Sequence, residues 1–207
     1  MVSHAAERNW LLVWSTGALV FLWSLSAGAG IHTWDVVEVF SNADGTIQYI
    51  ELLDRGSTGT ETGVGNGSLS SGTQSFSWSN GPVAPPTNGK SYLIATADFA
   101  ALPGAPVPDV IIPAVNVPFF DTAGDTVAFG AIDSFTFGAV PTNGTDAFDD
   151  TTGIVPNTPK NYAGVEGSVD ASAPSVPSGS ISAFLVIGAL LVGFGALKLN
   201  ARNAPAA

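Results

Sequence analysis

Short runs of alternating apolar and polar residues, each bounded by turn formers, fill the chain from Asp35 to Phe137. Successive side chains of an extended strand point to opposite faces, so this period-2 pattern predicts strands. Helical periodicity is nearly missing. Asp35–Ser41 (DVVEVFS) and Thr46–Asp54 (TIQYIELLD) are the first two strands. Asn42 and Asp44-Gly45 lie between them, a turn signal that predicts an antiparallel hairpin. In the second strand Ile47, Tyr49 and Glu51 point one way, and Gln48, Ile50 and Leu52 the other. The glycine-rich stretch Gly56–Gly72 reads as a long loop with a short strand around Ser68–Leu69. Thr73–Ser79 puts Phe76 and Trp78 on one face, which alternation assigns to the core. Asn80-Gly81 and Asn88-Gly89 mark turns. Ser91–Thr96 (SYLIAT) reads as the most buried strand, and Asp98–Leu102 as one helical turn. Asp109–Ile112, Thr126–Gly130 and Ser134–Phe137 complete the set. Many short strands between turn signals predict an all-β sandwich or barrel.

Two apolar runs bracket this body. Trp10–Leu25 follows a short start carrying His4 and Arg8, and leads into Ser26-Ala27-Gly28-Ala29-Gly30. Ala27 and Ala29 fit the small-x-small pocket of a signal peptidase, which predicts cleavage after Ala29. An uncleaved N-terminal anchor is the alternative, since a span takes roughly 20 apolar residues. Ile181–Leu199 is close to a full membrane span, entered through Pro177-Ser178-Gly179 and followed by Lys198 and Arg202. Basic residues favour the cytoplasmic side, so both runs place residues 30–178 outside the cell. The predicted organisation is a signal peptide (1–29), a β domain (30–142) and an acidic, Pro/Gly/Ser-rich linker (143–179). A transmembrane or sorting helix (180–199) and a short basic cytoplasmic tail (200–207) complete it. Asn157–Pro177 is the part of the linker expected to lift the domain off the membrane.

Two resemblances bear on these parts. Val36-Val37-Glu38-Val39, Tyr49-Ile50-Glu51-Leu52 and Gly89-Lys90-Ser91-Tyr92-Leu93-Ile94-Ala95 resemble the lamin-tail domain over roughly residues 34–135. That resemblance implies an immunoglobulin-like antiparallel β-sandwich, used by exported bacterial proteins as an accessory or interaction module, with no shared catalytic set. The C-terminal stretch resembles the tripartite sorting signals of the PEP-CTERM kind, with Val176-Pro177-Ser178-Gly179 at the motif position. A sorting signal is cut and the protein handed to the cell surface or matrix; a permanent single-pass anchor is the alternative.

The net charge is −11, and all 17 acidic residues except Glu7 lie between Asp35 and Asp170. Only Arg55, Lys90 and Lys160 are basic in the same body. Such a surface repels phosphate backbones, which argues against nucleic-acid binding. The chain has no cysteine, so an exported domain must rest on its apolar core, without disulfides or thiolate chemistry.

His32 is the one histidine of the predicted mature body, two residues past the cleavage site, where it suits neither a triad nor a zinc site. Glu38 and Glu51 fall on neighbouring strands of the hairpin. They could face a common pocket and perform acid–base glycoside chemistry, or simply accept hydrogen bonds at the sheet edge. Oxygen-rich turns suit calcium. Asn42-x-Asp44-Gly45 and Asp121-x-x-Gly124-Asp125 are fragments, and Asp146, Asp149 and Asp150 are the strongest candidates for weak calcium binding. Phe119 and Phe120 follow a proline in a loop, where one exposed ring could contact a partner.

The sequence thus predicts an exported, membrane-held, non-enzymatic β-sandwich for adhesion or matrix interaction, with a surface polysaccharide or protein as partner. A carboxylate hydrolase built on Glu38 and Glu51, and a calcium-dependent assembly module, are the alternatives.

Overall fold

The computed structural model describes residues 30–172. The expected signal peptide with its Ala27 and Ala29, the Ile181–Leu199 helix and the basic tail lie outside those residues. Among the described residues no helix is long and apolar enough to cross a membrane.

Among the described residues there are ten strands in two sheets, eight of them from the alternating runs. The first sheet begins with β1 (Trp34–Ser41) and β2 (Gln48–Asp54), the expected antiparallel hairpin. The second takes β3 (Ser68–Ser70) and β4 (Ser75–Ser77) from the glycine-rich region. The chain then returns to the first sheet with β5 (Ser91–Ala95), a single turn α1 (Ala97–Ala100), and the two-residue β6 (Val110–Ile111). Strands β7 (Asp125–Phe129) and β8 (Asp133–Phe137) complete the second sheet. Two further strands, β9 (Asp146–Asp149) and β10 (Gly153–Pro156), add to the first. The strand orders are β10-β9-β1-β2-β5-β6 and β4-β3-β7-β8. All pairs are antiparallel except β5–β6. The all-β expectation is met, with two layers facing each other.

Both faces of the six-stranded sheet are covered, and the alternation in β2 shows how. Ile50 and Leu52 join the larger core between the sheets, with Trp34, Val36, Val39, Leu69, Ile94, Phe119, Val127 and Phe129. Tyr49, from the other face of β2, joins Phe40, Leu93, Phe99, Ala147 and Val169 in a second cluster. A sheet buried on both faces reads as a nearly continuous apolar run, and β5 is buried at every position. Among the described residues both clusters are densely apolar, so the stretch 30–172 carries a core of its own.

The stretch 143–172 corrects the expected linker. It supplies β9, which pairs with β1 through Glu38–Asp149 and Val39–Phe148, and β10 beyond it. Past β10, Asn157 is buried at 1% exposure. Its amide donates to the carbonyls of Thr145 (2.6 Å) and Val169 (2.8 Å), and its Oδ1 accepts the Val169 N–H at 2.8 Å. Lys160 and Glu166 face each other across an isolated antiparallel bridge. Ala171 N–H closes on the Gly144 carbonyl at 2.8 Å. Residues 157–171 therefore form a strap over the outer face of the six-stranded sheet, packed through Val169 and Ala171. This strap is fastened by polar bonds as well as apolar contacts, so it carries little hydrophobic periodicity.

Candidate functional site

The position of Glu38 depends on a fault in β1. Strict alternation from Trp34 and Val36, both in the inter-sheet core, would send Glu38 into that core as well. The pairing register instead runs Val36–Leu52 and then Glu38–Glu51, so Val37 is an extra residue in β1. A β-bulge of this kind reverses which face the following residues take. Val39 turns inward and Phe40 joins the outer cluster. Glu38 is thereby placed directly opposite Glu51, on the face that carries Tyr49.

The strap closes over this pair. Glu38 accepts the Tyr49 hydroxyl, the Thr158 N–H at 3.2 Å and the Thr158 hydroxyl at 3.4 Å. Glu51 accepts the Lys160 N–H at 2.9 Å. The two residues are 6% and 7% exposed. Burial raises the pKa of Glu38 above the usual carboxylate range, against the lowering pull of its bonds from Tyr49 and Thr158. Burial likewise pushes Glu51 up to about 7, opposed by its bonds to Ser91 and Lys160 and assisted by the nearby charge of Glu38. Tyr49 is raised well above its ordinary value by burial and by Glu38. Two carboxyls with raised affinity for protons are the raw material of acid–base chemistry. Here, however, the strap lies where a substrate would have to stand. Their oxygens hold the domain's own N–H and O–H groups, so the arrangement acts as a fastener.

The expected calcium residues do not converge. Asp146 accepts the Asn143 amide at 2.7 Å. Asp149 caps its own turn, accepting the hydroxyls of Thr151 and Thr152 at 2.7 Å each and both backbone N–H groups. Burial works to raise the Asp149 pKa, but these four bonds outweigh it and hold the carboxyl at about 2. Asp150 takes the Arg55 guanidinium at 2.7 and 3.0 Å. Each carboxylate is committed to a different neighbour, and among the described residues no group of three or more His, Asp or Glu is gathered to hold a metal.

Phe119 and Phe120 are corrected from surface to core. Their exposures are 0% and 2%. The buried Gln48 amide grips this segment at two points: its Oε1 accepts the Phe119 N–H at 2.6 Å and its Nε2 donates to the Phe120 carbonyl at 3.0 Å. Phe119 packs edge-on against Phe76, and Phe120 against Phe137. Phe76 and Trp78 are partly buried against the same core, as alternation expects. His32 is exposed and stands beside Glu61.

That Glu38 and Glu51 lie on neighbouring strands was legible from the hairpin; that they face each other was not, because it takes the bulge at Val37. Tyr49 was legible as sharing the Glu51 face. Thr158 and Lys160 were not, because each contributes a backbone N–H, which every residue but proline possesses. Comparison with family models, curated proteins and solved structures gives no match for this chain.

Proposed function

We propose that this chain is an exported, surface-held, non-enzymatic β-sandwich of the immunoglobulin-like, lamin-tail type, acting in adhesion or extracellular-matrix interaction. Ile181–Leu199 is its membrane anchor or sorting handle, and a surface polysaccharide or protein is its partner. The observation that carries the non-enzymatic reading is the use of Glu38 and Glu51. The best-placed carboxylate pair of the body is covered by Thr158–Lys160 and bonded to them. Export is supported by the apolar Trp10–Leu25 run with its small-residue exit.

Two measurements test this reading. Protease treatment of intact cells should remove the body of the protein while cytoplasmic markers survive; a protected body refutes export. Purified residues 30–172 should bind a cell-surface or matrix preparation and leave polysaccharides and esters intact. Hydrolysis by the purified domain that disappears in Glu51→Gln would overturn the non-enzymatic reading in favour of the carboxylate hydrolase.

A further inference from the structure

Glu61 is fixed by backbone bonds on both sides. Its N–H donates to the hydroxyl of buried Thr87 at 3.1 Å, and its carbonyl accepts the indole N–H of buried Trp34 at 2.8 Å. From this anchor the side chain reaches back to the first described residues. Oε2 accepts the His32 N–H at 2.6 Å, and the His32 Nδ1 stands 3.6 Å away. The carboxylate also lies directly against Gly30. A methyl built on Gly30 would meet Oε2 at 2.5 Å and Oε1 at 2.7 Å, so glycine alone lets the carboxylate settle on that Cα without moving. Gly30 is itself held, its carbonyl accepting the Gly63 N–H at 2.8 Å.

Among the described residues this carboxylate meets few donors. The Glu61 side chain is only 13% exposed. An ionised carboxylate offers about four lone-pair sites, and covering it without compensating donors or a countercharge is costly. Among the described residues the His32 N–H donates to it, and the exposed His32 imidazole stands nearby. Among the described residues Arg55 pairs with Asp35 and Asp150, and Lys160 with Glu166, so neither of these cations serves Glu61.

Gly30 is the residue that cleavage after Ala29 places first. Hydrolysis adds water across the Ala29–Gly30 peptide bond. The carboxylate leaves on Ala29, and the Gly30 nitrogen takes up protons to become an ammonium. Covalent geometry puts that nitrogen within about 5 Å of Glu61 Oε2, within reach once the peptide bond no longer restrains it. We infer that Glu61 is the docking site for the α-ammonium of Gly30, so that removal of the signal peptide creates an ion pair the precursor lacks. The inference rests on the export reading and adds a consequence to it: processing itself tightens the end of the domain where β1 begins.

The test has two parts. The mass of the protein recovered from cells should correspond to a chain that starts at Gly30. A native chain starting elsewhere overturns the processing step, and leaves export to be judged by protease treatment of cells. Separately, residues 30–172 are prepared with a free Gly30 amine and with that amine selectively acetylated. The free form should melt roughly 3 °C higher, the shift expected of one partly covered ion pair in a domain of this size. Glu61→Gln should abolish the difference, and this comparison cancels any structural cost of the substitution itself. Equal melting of the two wild-type forms would overturn the inference, as would an undiminished difference in the variant.

Discussion

Glu51 should make this domain lose stability as pH rises through neutrality, and Glu51→Gln should remove the loss. An unfolded glutamate gives up its proton near 4.5, whereas burial holds the folded Glu51 proton up to about 7. Between those values the native state binds the extra proton, so stability falls with rising pH. The contribution is full below 4.5 and is lost as pH climbs through 7. At about 1.4 kcal/mol per pH unit, the interval corresponds to roughly 3 kcal/mol. The substituted amide would keep a carbonyl oxygen to accept the Lys160 N–H and would carry no charge at any pH. Urea unfolding of residues 30–172 at about pH 4.5 and about pH 8, for both chains, measures the effect. Acidic groups remote from Glu51 contribute equally to the two chains and cancel, while Glu38, whose charge helps raise Glu51, titrates together with it, so the comparison reads the pair. The variant should match the wild type at the lower pH and exceed it at the higher by up to about 3 kcal/mol. Parallel profiles, or a variant weaker than wild type at the higher pH, would refute the claim that a buried acid under the strap drives the dependence.

Further outcomes follow from the same contacts. Phe119→Ala should cost about 3–5 kcal/mol in urea unfolding, because the ring is fully buried. Val115→Ala, at a side chain 85% exposed, should stay within about 0.5 kcal/mol of wild type. Asn157→Ala removes three bonds of a buried amide and should cost about 2–4 kcal/mol. Faster proteolysis of residues 157–172 should accompany that loss; an unaltered digest would show that the strap is held otherwise. EDTA should leave the melting temperature unchanged, since Asp146, Asp149 and Asp150 are each engaged with separate protein partners. A drop in melting temperature on chelation would restore the calcium reading.

Much of the architecture was legible in the chain because it is local. Alternation in Thr46–Asp54 assigned Ile50 and Leu52 to one face and Tyr49 and Glu51 to the other, and the two core clusters follow that division. The turn at Asp44-Gly45 set the hairpin. The sequence also determined the acidic surface, the lack of cysteine chemistry and the two terminal apolar runs. The tertiary structure decided the rest. The bulge at Val37 turned Glu38 out of the core, and no local pattern announces one surplus residue in an apolar strand. Gln48 drew Phe119 and Phe120 inward from more than 70 positions away along the chain. Residues 143–172 looked like a linker because their attachment relies on carboxylates and amides holding backbone N–H groups and carbonyls. Hydrophobic periodicity reports burial of side chains, and it is blind to a strand or strap fastened largely through its backbone.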